Sequence, residues 1–242
     1  LSMVFVIIQS ITMLLGFVFG IFRVSRYSRS FQVGRATIHR IKSENQSDNL
    51  WTAISRKEEV FLMDALDKEF DKYKDLVALK KRTPNSVLPD IEEIFNEDAV
   101  SIKTWKSTIS QIPETLTGIG ILGTFVGLII GIGGIGFSSV TAAITSLQVL
   151  ISGIEIAFYT SIVGLILSIC FNLTYKFFWN ILLRDLFLFV DDFHKNVIPT
   201  EESQMKELQV QYYKTMLKYY TDSEESKPEP AKSDLANPEL TK

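Results

Sequence analysis

Thr124, Thr160, Ser161, Ser168 and Asn172 are hydroxyl and amide side chains set in stretches that carry no charge. None of them ionises near neutral pH, so on their own they suggest no nucleophile, acid–base pair or metal centre. Enclosed in apolar surroundings, they can line a narrow polar path or face the ionisable group of a partner. At about 100° per residue, Thr160, Ser161, Gly164, Ser168 and Asn172 share about a third of a helix circumference. Phe158, Ile162, Leu165 and Ile169 fill much of the opposite side. A polar stripe of this length inside a membrane helix is expected to face a bundle interior or a water-filled cavity. The bland alternative is that each hydroxyl bonds back to a carbonyl of its own helix.

Thr124 belongs to a second stripe. Thr117, Gly120, Thr124, Gly127, Gly131 and Gly134 recur at spacings of three and four, with nothing larger than threonine among them. Gly123, Gly127 and Gly131 make an overlapping small-xxx-small ridge. In lipid, small residues let helix backbones approach closely. The ridge is therefore expected to pack against another helix of this chain or a copy of it. Glu155 is the one acid near these runs. It points about 140° away from Thr160. It is read either as an ionised group at the membrane interface or as a buried acid at a subunit contact or ion site.

The elements that must position these residues follow from the charge distribution. Residues 1–22, 115–154 and 156–175 contain no charged side chain. A spanning helix needs about 20 apolar residues, so the middle run is too long for one crossing and must turn back. The polar cluster at Ser138, Ser139 and Thr141 is the expected turn. The reading is an all-α membrane protein with three transmembrane helices. They cover 1–22, 116–137 and 148–178, with a short loop at 138–147. Arg23, Arg26, Arg29, Arg35, Arg40 and Lys42 follow the first apolar run. A basic flank after the span reads as an uncleaved anchor whose following segment is cytoplasmic. The N-terminus is then outside and the C-terminus inside. Residue 1 is Leu, so the chain is expected to begin within a longer reading frame or at a non-standard start codon.

The cytoplasmic segment 23–115 reads as helical. Leu62, Leu66, Phe70, Tyr73 and Val77 make one helix face, and Ile102, Trp105, Ile109 and Ile112 a second. Pro84 and Pro89 mark a linker, and Pro113 restarts the chain as it enters the second span. The charged run Asp67 to Asp75 reads as a solvated helix face. Residues 179–221 read as a helical extension, with the third span continuing as one long helix to Pro199. Residues 222–242, rich in Glu, Ser, Lys and Pro, read as a disordered tail.

Several function classes are disfavoured. The net charge of −3 gives no hint of nucleic acid. His39, His194 and the single Cys170 lack partners at metal-ligand spacing, so no metal or cofactor is expected. The glycine-rich stretch lacks the Lys-Ser or Lys-Thr of a phosphate loop, and no catalytic residue set is visible. An enzyme is the weakest option.

"GILGTFVGLIIGI" resembles the second-span signature of the MotA/TolQ/ExbB proton-channel family, and "GIEIAFYTSIVGLILS" resembles its third-span motif. In that motif an acid precedes a Thr by five and a Gly follows by four, here Glu155, Thr160 and Gly164. The three-span order is similar to the ExbB/TolQ branch. The expected Ala-Ile-Pro-Ala stretch after the third-span Gly is replaced by "LILSICFN". "FNEDAVSIKTWKSTISQIPETLTGIGILGTF" looks more like the Zorya-type anti-phage branch, whose members carry long cytoplasmic tails, so this chain would be truncated or short. The resemblance implies an inner-membrane homopentamer around a single-span partner of the ExbD, TolR, MotB or ZorB kind. The partner supplies the proton-accepting Asp, and Thr124 and Thr160 face it across the pore. Proton flow then drives relative rotation. A non-conducting scaffold that assembles through the glycine helix and recruits cytoplasmic proteins stays open as an alternative.

Overall fold

The computed structural model describes residues 2–44, 50–83, 86–134 and 140–225. The expected turn at Ser138 and Ser139, the linker residue Pro84 and residues 226–242 of the expected tail lie outside them. Within them every regular element is helical, with no strand among the described residues, and three helices are long and apolar enough to cross a membrane.

Helix α1 (Ser2–Gly16) passes through a π-helical turn at Phe17–Ile21 into α2 (Phe22–Glu44). The short helices α3 (Leu50–Ser55), α4 (Asp64–Lys80), α5 (Glu97–Thr104) and α6 (Lys106–Ile109) follow. Helix α7 (Ile112–Gly133) takes Pro113 in its first turn. The missing N–H costs nothing there. Glu114 in the same turn complements the helix dipole. Helix α8 runs unbroken from Val140 to Asn196, 57 residues, about 86 Å at 1.5 Å per residue. Helix α9 spans Glu201–Glu225.

Contacts along the chain fix the relative directions. Gln9 meets Thr160, Ser28 meets Asp185, Arg35 meets Asp192 and Lys42 meets Asn196. The paired numbers rise together, so α1–α2 and α8 are parallel. Gly120 lies against Thr160, Gly127 against Gly153 and Gly134 against Val149. Those numbers run oppositely, so α7 is antiparallel to α8. Beyond the spans, α2, α4 and α8 close around an aromatic core. Phe31, Phe61, Phe70, Tyr73, Phe95, Phe189 and Phe193 are all fully buried, with Phe61 and Phe189 ring centres 4.9 Å apart. Tyr73 donates from this core to the Pro89 carbonyl at 2.9 Å. Burial holds its hydroxyl above the usual tyrosine range. At the edge, the Lys103 ammonium bonded to Glu69 holds that carboxyl below the usual carboxylate range.

Several expectations need correction. Residues 140–147, assigned to a loop, are helical. Thr145 and Ser146 are accommodated there by bonding back within the helix, Thr145 donating to the Thr141 carbonyl and Ser146 to that of Ala142. Residues 222–225 extend α9 rather than starting a tail, as helix-favouring glutamates allow. Leu66, Phe70, Tyr73 and Val77 do form the buried face of α4, but Leu62 precedes the helix and is exposed. Ile102 and Trp105 are exposed as well, because the chain turns left-handed at Trp105 and splits the expected helix into α5 and α6. Asp67 is buried rather than solvated. Its carboxylate accepts backbone N–H bonds from Val60, Phe61 and Met63 at 2.7–2.9 Å.

Candidate functional site: the seam between three helices

The closest helix packing is between α7 and α8. Gly120, Gly123, Gly127 and Gly131 are buried along one face of α7. A Cβ on Gly123 would lie 2.6 Å from Thr160 Oγ1, and one on Gly127 would lie 2.7 Å from the Gly153 carbonyl. One on Gly153, across the seam, would lie 2.6 Å from the Gly127 carbonyl. Backbone thus meets backbone with no room for a methyl group, the arrangement small residues permit in lipid. Gly134, at the end of the ridge, is exposed, and a Cβ there would lie 2.6 Å from the Val149 side chain rather than against the backbone of α8.

The sequence-selected polar residues divide into groups. Thr160, Gly164 and Ser168 are buried within the chain, on the face of α8 turned toward α1 and α7. Thr124 and Ser161 are half-buried, while Asn172 and Glu155 are exposed. The first five surround one seam, and the last two stand away from it. The Thr160 hydroxyl donates to the carbonyls of Ile156 (2.9 Å) or Ala157 (3.2 Å). The Thr124 hydroxyl donates to Gly120 (3.1 Å) and also reaches the Ala157 carbonyl at 3.4 Å. Hydroxyls from two helices therefore converge on one carbonyl oxygen. On the far sides, Leu122, Phe125 and Ile129 of α7 and Phe158, Ile162 and Leu165 of α8 are exposed.

The sequence reading missed Gln9. It is fully buried, and its Nε2 donates to the Thr160 carbonyl at 3.2 Å. Its Oε1 is buried without a partner among the described residues. Gly120 and Gly164 leave the space it occupies, since a Cβ on Gly164 would lie 2.7 Å from the Gln9 amide nitrogen. The available signal was a lone amide in an uncharged run of 22 residues. Asp185 was missed too. Although 2% exposed, it accepts from Ser28 and from Gln32 (2.8 Å) on α2, with Arg184 at 3.4 Å. It locks α2 to α8 where they leave the apolar zone. Among the described residues no cluster could hold a metal ion.

Comparison with known proteins agrees with this geometry. The model of the MotA/TolQ/ExbB proton channel family matches residues 53–185, more than half of the chain. The chain is also 43% identical over 78 residues to Zorya protein ZorA of Escherichia coli. That stretch covers 32% of this chain and 14% of the relative, so the chain spans a small part of that relative's length. With three apolar helices crossing side by side and the matched region running from α3 through the glycine seam to Asp185, the chain is a multi-pass membrane protein belonging to the MotA/TolQ/ExbB proton channel family.

Proposed function

We propose that this chain is the channel-forming stator subunit of a proton-driven machine in the bacterial inner membrane. Copies of it, five in the arrangement the family resemblance implies, surround a single-span partner that supplies a proton-accepting aspartate. The work is electrochemical and mechanical, not enzymatic. The basic flank from Arg23 to Lys42 supports placing α2, the aromatic core and α9 in the cytoplasm. The N-terminal end of α1 is then outside. The partial likeness to ZorA supports antiviral defence as the process powered; envelope energisation of the ExbB/TolQ kind is the alternative.

The observation that carries the reading is the convergence of Thr124 and Thr160 on the Ala157 carbonyl. It places two hydroxyls on one carbonyl in the seam, Thr160 fully buried and Thr124 half-buried and nearer the open surface. The test is proton flux in proteoliposomes holding the chain with its partner. Val replaces Thr at nearly constant volume, and among the described residues the Thr160 hydroxyl bonds within its own helix. Thr160→Val therefore removes polarity without removing a tertiary contact. Flux should fall on the order of tenfold, equivalent to one lost hydrogen bond, with Thr160→Ser near normal. Unchanged flux in a normally assembled Thr160→Val complex would defeat the proposal.

The scaffold alternative needs the glycine helix for contacts between copies. Gly120, Gly123, Gly127 and Gly131 pack against α8 of the same chain, which supports the channel reading over it.

A further inference from the structure

Where α1 gives way to α2, the chain has an irregularity that ion conduction does not use. The π-helical turn Phe17–Ile21 lies at the end of the charge-free run. Such turns are frequent at functional sites. Beside it is an open hollow of about 710 Å³. Its apolar wall is Phe17, Val18, Ile21 and Phe22, and its polar rim is Arg26 and Arg29. A second hollow of about 520 Å³ shares Val18, Phe22 and Arg26.

The arginines here are not equivalent. Arg23 is engaged, donating to the Lys103 carbonyl at 3.0 Å and lying over the Trp105 ring. Arg35 is paired with Asp192 at 2.6 Å. Arg26 and Arg29 are exposed and form no ion pair among the described residues. Three residues apart, they share one helix face immediately past the apolar run. The nearest carboxylate on the rim of the second hollow, Asp64, is held by Lys68.

The opposite lip is Leu62, with a positive φ of 52° and 68% exposure. A leucine rarely adopts that backbone. The buried Asp67 carboxylate imposes it by gripping the N–H groups of Val60, Phe61 and Met63 on both sides. A strained loop is thus clamped so that an apolar side chain projects at the level where the span ends.

We propose that this groove is a site for an anionic phospholipid. The acyl region lies along Val18, Ile21, Phe22 and the projecting Leu62, and the phosphate is held between Arg26 and Arg29. Apolar wall and unpaired cations meet at one height, as the lipid's tail and headgroup do. A basic residue at the membrane surface contributes to anionic lipid binding independently of sequence. The groove adds a shaped apolar wall, which predicts a lipid rather than a free anion.

The test uses the full chain purified in detergent, with native mass spectrometry counting bound phosphatidylglycerol against phosphatidylcholine. The wild type should retain phosphatidylglycerol selectively. Arg26→Gln with Arg29→Gln should weaken that retention about thirtyfold, and Arg26→Lys with Arg29→Lys should keep most of it. Leu62→Asp should also reduce it, and this carries the test if the double glutamine variant does not fold. Equal retention of both lipids by the wild type would overturn the proposal. So would undiminished phosphatidylglycerol in the folded glutamine or Leu62→Asp variants, or displacement of the lipid by soluble glycerol phosphate. The inference does not depend on proton flux, so failure of the conduction test leaves it standing.

Discussion

The seam between α7 and α8 and the aromatic core between α2, α4 and α8 are held together by opposite means. In the seam, glycines bring backbones together, and the large side chains of both helices, such as Phe125 and Phe158, point away. In the core, seven aromatic rings fill the centre. The solvents explain the contrast. Burying a phenylalanine from water is strongly favourable, whereas lipid offers a phenylalanine as good a home as a helix partner does, so contact there rests on close fit. One chain uses both rules, and α8 passes from one to the other.

Three substitutions bear on that contrast. The largest effect is expected from Gly127→Leu. The new side chain would run into the Gly153 carbonyl and the Ala157 backbone, which cannot yield as side chains do. Destabilisation well above about 3 kcal/mol should appear as lost folded protein on detergent thermal melts. If Gly127→Leu melted like the wild type, the backbone-to-backbone seam would be wrong. Phe189→Ala comes next. It should cost about 3–5 kcal/mol by denaturation, since its ring contacts Phe31, Phe61, Phe95 and Phe193. A loss below about 1 kcal/mol would mean that this core does not stabilise the chain as water-excluded aromatics should. The smallest is Gln9→Leu. It removes one long bond to a helix carbonyl together with an acceptor that has no partner among the described residues, so stability should change by less than about 1 kcal/mol. A much larger loss would reveal a polar partner for Oε1 in the membrane.

The three apolar helices and the glycine ridge were legible because length, charge and spacing depend on the chain alone. So was the buried face of α4 from Leu66 to Val77, where the helical period is regular. Asp67 was not legible, because its neighbours are acids and lysines and only the fold turns it toward the Val60–Met63 loop. Trp105 misled because its spacing suits a helix while its backbone caps one. Thr160 was found but its surroundings were not: the stripe assigned to an open pore is half occupied by Gln9, Gly120 and Gly123 of the same chain. Spacing tells which residues share a face; it does not tell which neighbour covers that face.

Helix α8 has no break over 57 residues, and α2 is bonded to it at Asp185, Asp192 and Asn196. A tilt or twist imposed beside Thr160 is therefore expected to be felt at Asn196, because the helix has no joint in between to absorb it. The first such joint comes at Val197–Thr200, with Pro199 inside it. The stretch from Gly153 to Asn196 is thus built as one shaft, and α9 beyond it is anchored instead at Leu88 through Gln204.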